Sequence, residues 1–282
     1  MAIDPDLIGR IPVGPVDTGP IHPRSGMRDR LRRLTAPVGG AGLLLAKFAS
    51  QAKLLLLLGL KGKYVLTAGT MVVSVGAYTL FWGWRFAAIF VGLLFVHEMG
   101  HAIALRREGI ATSPVLFVPF LGAVIGMRGR PRNAWVEAKV GLAGPVLGSL
   151  GALGVLLLGH ATGSNLLVAA AFTGFFLNLF NLLPIVPLDG GRAAAALHPL
   201  AWIAGILGLA GLAVWHPNPI LFLFLVIGGM EAWTRLRVWR RGAPGTAAYY
   251  AVTRAQRAIV AVTYLGLAAA LVVGMAHSHV HI

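Results

Sequence analysis

The chain has 282 residues, of which 57% are hydrophobic and only 12% are charged, and its formal net charge is +15. A soluble domain carries about 25% charged residues, so this composition excludes an ordinary soluble protein and indicates one built within a membrane. The sequence has no cysteine, which excludes disulfide bonds and thiolate metal ligands and leaves histidine, aspartate and glutamate to hold any metal ion.

The N-terminal part of the chain differs from the rest. Residues 1–37 are rich in proline, glycine and arginine and nearly lack aromatic side chains, which predicts a flexible cytosolic tail and not a signal peptide. Residues 38–63 are rich in leucine but include Lys47, Gln51 and Lys53. This mixture favours an amphipathic segment at the membrane interface, with a membrane span as the alternative.

Seven apolar segments follow, each near the length that a helix needs to cross a bilayer. They cover residues 64–82, 86–105, 138–159, 165–184, 200–215, 219–234 and 258–276. The fifth and sixth are short and would need a thinner bilayer or a partly buried position. Residues 64–276 are therefore predicted to form an all-α polytopic membrane domain with six or seven transmembrane helices.

A shorter apolar stretch, residues 111–127, lies between the second and third of these segments. It is interrupted by Pro114, Pro119, Gly122 and Gly126, which is typical of a re-entrant loop or a hairpin and not of a span. Its exposed edge could bind an unwound substrate as an added strand, although a simple packing loop fits equally well.

The basic residues lie on one side of this predicted membrane domain. Threading the seven segments from a cytosolic N-terminus places all 24 Lys and Arg residues except Arg85 on the cytosolic side. Such an asymmetry follows the positive-inside rule, so the positive net charge indicates the orientation of the protein in the membrane and not a nucleic-acid partner. The prediction is a multi-pass protein of a prokaryotic plasma membrane, in contact with the lipid bilayer.

The second apolar segment contains His97-Glu98-Met99-Gly100-His101. An H-E-x-x-H pattern places two imidazoles at positions i and i+4 on one helical face beside a carboxylate, which is typical of a zinc site and its general base. Polar groups at membrane depth are costly unless they bind something or face a cavity. The pattern indicates a hydrolytic zinc site in the cytosolic half of the span. The alternative is a helix whose two histidines only form hydrogen bonds within the protein.

A second polar motif follows the fourth segment, in the sequence Asn181-Leu-Leu-Pro184-Ile-Val-Pro187-Leu-Asp189-Gly190-Gly191-Arg192. The two prolines cannot continue a helix, so they unwind the chain and bring Asp189 to about the depth of the histidines. The glycines are expected to supply backbone freedom just after the carboxylate. An anionic side chain on unwound backbone at this depth indicates function. The alternative is an aspartate that caps the next helix.

Taken together, the motifs resemble the site-2 protease family of intramembrane zinc metalloproteases. The likeness covers residues 64–200 and rests on H-E-x-x-H, on N-x-x-P-x-x-P-L-D-G, and on Gly144-Pro145 between them, in the order that the family has. The resemblance implies that His97, His101 and Asp189 bind one Zn²⁺ ion per chain and that Glu98 is the catalytic carboxylate.

The chain departs from the family in two respects. Many members carry an asparagine shortly after the Gly-Pro pair, where this chain has Gly148-Ser149. Many also contain a PDZ domain or a pair of CBS modules, and no segment here is long and polar enough for either. The prediction is a minimal member, whose substrates would be selected by the membrane core or by partners.

The predicted chemistry is hydrolysis of a peptide bond within the membrane. Two neutral imidazoles and one carboxylate leave a fourth zinc position for water, and Glu98 would accept the proton of that water. A substrate helix hides its carbonyl groups in hydrogen bonds and must unwind first. By resemblance, the substrates are membrane-anchored proteins such as anti-sigma factors or signal-peptide remnants.

Several assignments remain open at this stage. Glu231 in the sixth segment is the competing third ligand, which would indicate another class of H-E-x-x-H peptidase, and a zinc transporter or a scaffold is the non-enzymatic alternative. Asn178 and Asn181, one helical turn apart, are candidates to bind substrate, a zinc ligand or a neighbouring helix. The C-terminal residues 277–282, with histidines at 277, 279 and 281, are predicted to be an exposed tail.

Overall fold

The computed structural model describes residues 63–198, 200–242 and 244–278. The predicted cytosolic tail, residues 1–37, and the predicted amphipathic segment up to residue 62 lie outside the described residues, as do residues 279–282 of the predicted tail. The described part contains all seven apolar segments and both motifs.

Within the described ranges, the chain forms nine α-helices and one β-hairpin. The elements are α1 (Lys63–Trp82), α2 (Trp84–Arg107), β1 (Ala111–Val118), β2 (Gly122–Arg128), α3 (Ala134–Thr162), α4 (Asn165–Asn181), α5 (Asp189–Leu197), α6 (Ala201–Trp215), α7 (Pro219–Arg240), α8 (Thr246–Tyr249) and α9 (Arg254–Ala276). Each predicted apolar segment corresponds to a helix, so the mostly helical fold is confirmed.

Four of the described helices are long and apolar enough, by length and composition, to cross a membrane. They are Tyr64–Trp82, Trp84–Arg107, Ala134–Thr162 and Arg254–Ala276. Helices α4 and α6 are apolar but shorter, at 17 and 15 residues. Both the composition of the chain and the length of its helices therefore support a membrane protein.

The connection between α3 and α4 folds the chain back on itself. Gly163 adopts a left-handed conformation at the end of α3, with φ of 65°, and the Ser164 side chain caps α4 by accepting a hydrogen bond from the Leu167 amide. A turn of two residues makes the helices antiparallel neighbours. The end of α4 consequently returns toward the first half of α3, where α2 also packs.

Residues 111–128 form an antiparallel β-hairpin, one of the two forms predicted for this stretch. Val115 and Phe117 of β1 are buried in a cluster with Tyr78 of α1 and Phe90 of α2. The outer edge of β1 is bonded to α1, because the Thr67 hydroxyl donates to the Val115 carbonyl at 2.9 Å and the Phe117 amide donates to the Thr70 hydroxyl at 3.3 Å. An added strand would therefore have to pair with β2.

Close packing of α2 against α3 depends on glycine. A Cβ at Gly100 of α2 would lie 2.2 Å from the Ala143 carbonyl oxygen, and one at Gly151 of α3 would lie 3.0 Å from the Val96 side chain. At Gly100 the backbone contact leaves no room for a side chain, and at Gly151 a side chain would have to displace that of Val96. The two helices meet along the face of α2 that carries the histidines.

Candidate metal centre

His97 and His101 lie on one face of α2 and are almost fully buried, each with 6% of its surface exposed. Their spacing of four residues places the rings one helical turn apart in an edge-to-face arrangement, with centroids 4.9 Å apart. Asp189, the first residue of α5, is 8% exposed and contacts both rings. The structure thus brings together three side chains that the two sequence motifs supply.

Three ligand atoms converge at this point. Asp189 Oδ2 lies 3.1 Å from His97 Nε2 and 3.1 Å from His101 Nε2, and the two Nε2 atoms are themselves 3.1 Å apart. A tetrahedral zinc ion with bonds of about 2.0–2.1 Å separates its ligand atoms by about 3.3–3.4 Å. The triangle is therefore close to the size that such an ion requires.

Hydrogen bonds on the far side of each ring determine which nitrogen carries the proton. His101 Nδ1 lies 2.8 Å from the Val140 carbonyl, which can only accept, so this nitrogen donates. His97 Nδ1 lies 2.8 Å from Asn178 Oδ1, and Asn178 Nδ2 donates to the Gly174 carbonyl at 2.8 Å. Because that second bond fixes the orientation of the amide, His97 Nδ1 must also donate.

This arrangement makes the centre suitable for a cation. With both Nδ1 atoms protonated in neutral rings, the two Nε2 atoms present lone pairs to each other and to a carboxylate oxygen. Three acceptors at 3.1 Å with no hydrogen to share repel one another unless a positive charge lies among them. The residues present fit a metal ion, and they are the one such group of three among the described residues.

Asp189 reaches the histidines because the preceding loop packs tightly on α5. A Cβ at Gly190 would lie 2.0 Å from the Leu182 carbonyl oxygen, and one at Gly191 would lie 2.3 Å from the Ile185 carbonyl carbon. Both glycines are helical, so they provide close approach and not the backbone freedom expected from the sequence. The N-cap of α5 is Leu188, and the Asp189 carboxylate contacts the imidazoles instead of capping the helix.

Glu98 follows His97 in α2 and is only partly buried. Its carboxylate interacts electrostatically with both histidines, with Asp189 and with Arg192 of α5. Glu98 therefore lies beside the three converging atoms and is not among them, as a group that exchanges protons with a metal-bound molecule requires.

Three glycines of α3 line the centre. A Cβ at Gly144 would lie 2.1 Å from His101 Nε2, and one at Gly141 would lie 2.8 Å from the Asp189 carbonyl oxygen. A Cβ at Gly148 would lie 2.3 Å from Asn178 Oδ1. The Gly-Pro pair was the available signal, but nothing in the sequence reveals that the Val140 carbonyl bonds to His101.

Other candidate residues lie apart from the three atoms. Glu231 of α7 accepts a hydrogen bond from Arg235 at 2.9 Å, and Arg235 also donates to the buried Glu137 at 2.9 Å. Glu137 accepts a hydrogen bond from the Tyr249 hydroxyl. Burial raises the pKa of Tyr249 most, and the negative charge of Glu137 raises it further. Glu231 thus forms an ion pair with Arg235, and no imidazole contact of Glu231 is seen in the described residues.

Asn178 and Asn181 have different surroundings. Asn178 is 5% exposed and bonded to His97, which is one of the alternatives that the sequence leaves open, whereas Asn181 is the last residue of α4 and is partly exposed. The His277 ring is exposed and bonded to the Val273 carbonyl of its own helix at 2.9 Å. Neither Asn181 nor His277 belongs to the group of three.

Comparison with known proteins covers the two helices that supply the histidines and the Gly-Pro pair. Residues 85–163, which include α2 and α3, match the model of peptidase family M50. The predicted resemblance to site-2 proteases is confirmed. The match to M50 begins at the second residue of α2 and ends just after α3, so it contains both histidines and the Gly-Pro pair.

Individual relatives agree with the M50 match. The chain is 28% identical over 130 residues to zinc metalloprotease MJ0392 of Methanocaldococcus jannaschii, which covers 44% of this chain and 37% of that protein. It is 33% identical over 135 residues to Rip3 of Mycobacterium tuberculosis, which is a zinc metalloprotease by name. That alignment covers 44% of this chain and 34% of Rip3. The chain thus spans about a third of the length of the curated relatives it matches.

Proposed function

We propose that this chain is a zinc-dependent endopeptidase that hydrolyses peptide bonds in or near the transmembrane segments of membrane-anchored proteins. The observation that carries the proposal is the convergence of three buried ligand atoms, two of which belong to histidines on a helix long and apolar enough to cross a membrane. The names of the relatives, all zinc metalloproteases, support the choice of metal and reaction.

His97, His101 and Asp189 would hold the single zinc ion through the two Nε2 atoms and Oδ2. A bound zinc ion with three protein ligands polarises a carbonyl group and lowers the pKa of a water molecule to about 7. A hydrogen bond to the Val140 carbonyl orients His101, and one to Asn178 orients His97. Asp189 is held by the packing of α5 against the preceding loop.

Glu98 would move the proton during hydrolysis. Its carboxylate accepts a proton from the attacking water and returns it to the nitrogen of the leaving amine, so Glu98 is unchanged after one cycle. Arg192 of α5 is near enough to interact electrostatically with this carboxylate. This assignment needs no other acid among the described residues.

The substrate would be a helix that unwinds locally within the membrane, because its carbonyl groups are otherwise engaged in hydrogen bonds. An unwound segment could extend along the outer edge of β2, since α1 occupies the edge of β1. Anti-sigma factors and signal-peptide remnants, already trimmed outside the cell, are the candidate substrates. Cleavage would then form part of regulated intramembrane proteolysis.

The centre would open toward the cytosol of a multi-pass plasma-membrane protein. Helix α2 ends with Arg106 and Arg107 shortly after His101, and α7 ends with Arg237 and Arg240. Basic residues at these ends favour the cytosolic side. Helices α4, α6 and α7 would add to the four long helices to complete six or seven crossings.

Cysteine labelling tests this orientation. Cysteines that replace the exposed residues Ala111 and Ala247 are expected to react with an impermeant thiol reagent only after the membrane is opened, whereas one at the exposed Ala161 is expected to react in intact cells. The native chain has no cysteine, so the background is clean.

Alanines are preferable to the neighbouring glycines as labelling positions. Gly109, Gly163 and Gly242 have positive φ, so a side chain there would strain the backbone. Labelling of Ala161→Cys only in opened membranes, with Ala111→Cys and Ala247→Cys reactive in intact cells, would reverse the orientation and contradict the positive-inside argument.

A further inference from the structure

The Asn178 side chain fills a gap that a glycine leaves in the neighbouring helix. Asn178 Oδ1 is 2.8 Å from His97 Nδ1, and an ideal Cβ at Gly148 of α3 would lie 2.3 Å from the same oxygen. The carbonyl oxygen of the amide therefore occupies the space that the side chain of any other residue at position 148 would enter.

We propose that Asn178 is a positioning residue for the metal centre, and that Gly148 and Asn178 form an exchangeable pair in which either helix can supply the amide. Asn178 acts through His97, because an acceptor at Nδ1 holds the proton there and leaves Nε2 free to bind a metal ion. The inference rests on the metal site of the proposed function. It concerns how one ligand is held and not which reaction follows.

The surroundings of Asn178 distinguish this role from helix packing. An asparagine that only joins two helices could bond to any polar group on its neighbour, and a leucine, which has the same branching, would replace it at little cost in an apolar interface. Here both ends of the amide are used, since Nδ2 donates to the Gly174 carbonyl and Oδ1 accepts from His97. Removal of the acceptor would leave the buried Nδ1–H of His97 without a partner.

Geometry indicates that the amide can be supplied from position 148. Within an asparagine, Cβ and Oδ1 are about 2.4 Å apart, from C–C and C=O bond lengths. A Cβ at position 148 would be 2.3 Å from the present Oδ1 atom, so an asparagine there can place its own Oδ1 at nearly the same point. Position 178 must then be glycine, because a Cβ retained there would lie about 2.4 Å from that point by the same bond lengths.

The first experiment separates an acceptor from a space-filling side chain. Zinc affinity is measured by competition with a chelating indicator for the full-length wild-type chain and for Asn178→Leu and Asn178→Asp, purified in detergent. Leucine is expected to lower the affinity about 10- to 100-fold, as loss of a hydrogen-bond partner to a ligand histidine does. Aspartate keeps the acceptor for His97 and loses only the donor to the Gly174 carbonyl, so it is expected to bind zinc more tightly than the leucine variant.

Asn181→Leu is the matched control for metal affinity. It makes the same substitution one helical turn along α4, at a residue outside the group of three. Its zinc affinity is expected to equal that of wild type. Thermal unfolding of each zinc-free variant shows whether any loss of affinity follows from loss of the fold.

The second experiment exchanges the two residues. Gly148→Asn alone is expected to lose zinc affinity because its Cβ would meet Asn178 Oδ1, and Asn178→Gly alone is expected to lose it because the acceptor is gone. The double variant is expected to regain at least tenfold over the weaker of the two single variants. This rescue holds even if Asn178→Leu fails to fold.

Two results would overturn the inference. One is a folded Asn178→Leu chain that binds zinc as tightly as wild type, and the other is a double variant that binds no more tightly than either single variant. A wild-type chain that binds no zinc would instead contradict the proposed function itself, so the two failures are distinguishable.

Discussion

Replacement of Glu98 with glutamine is expected to leave one zinc ion bound and to slow peptide cleavage by roughly 10²- to 10⁴-fold, the usual contribution of a general base. Glutamine has the shape of glutamate, but its amide cannot accept the proton of the attacking water. Glu98 lies beside the three converging atoms without being one of them, so the metal should remain. Zinc content and cleavage of a tagged model spanning segment are measured on the purified variant.

His97→Ala is the comparison for that result, because it removes one of the three ligand atoms and should lose both zinc and cleavage. In cells that carry Glu98→Gln, proteomics should reveal membrane-anchored remnants that the wild type removes, which would identify the substrates. Cleavage by purified Glu98→Gln at a rate near that of wild type would disprove the role of Glu98.

Substitutions at Asp189 and Glu231 are expected to have opposite effects on the metal. Asp189→Asn keeps the volume of the side chain but removes the anionic oxygen that lies 3.1 Å from both Nε2 atoms. Zinc affinity should fall by more than about a hundredfold, since even loss of an outer hydrogen-bond partner costs 10- to 100-fold. Cleavage should be lost with the metal.

Glu231→Gln should retain zinc and most of the activity. Its partly exposed carboxylate bonds to Arg235, which keeps the buried Glu137 as a second partner, and an i,i+4 ion pair within one helix contributes little. Bound zinc per mole is compared in the two purified variants. Loss of metal from Glu231→Gln, with retention by Asp189→Asn, would assign the third ligand to Glu231 and weaken the resemblance to site-2 proteases.

The helices of the membrane domain could be predicted from the sequence because long apolar runs have few alternatives in a bilayer. The segment predicted at 86–105 is the helix Trp84–Arg107, and the one predicted at 138–159 is the longer helix Ala134–Thr162. The extra turn before residue 138 ends with the charged Glu137. Asn133 starts the helix there by accepting a hydrogen bond from the Val136 amide, a local signal that hydropathy overlooks.

The three converging side chains could be predicted because each stands in a motif with a reason for its spacing. The bonds that orient them could not be predicted in the same way. The partner of His101 is the Val140 backbone carbonyl, and any residue could supply one. For Asn178, periodicity places the side chain on a helix face but does not identify His97 as the group opposite.

Several glycines have roles that the sequence does not reveal. At Gly190 and Gly191 the pattern suggested a flexible turn, yet both belong to a helix that lies against the preceding loop. At Gly148 the sequence showed only a departure from the family, whereas in the structure Asn178 takes up that space. A glycine can serve backbone flexibility or close packing, and residues distant in the chain decide which of the two applies.

Cleavage by the purified chain with zinc removed and then restored tests the central claim most directly. The wild-type chain in lipid vesicles is incubated with a tagged spanning segment before chelation, after complete zinc removal, and after one equivalent of zinc is returned. Zinc bound to His97, His101 and Asp189 predicts that cleavage stops with removal and returns with the metal, at the same peptide bond by mass spectrometry. Cleavage that continues unchanged in the zinc-free chain would contradict a zinc peptidase.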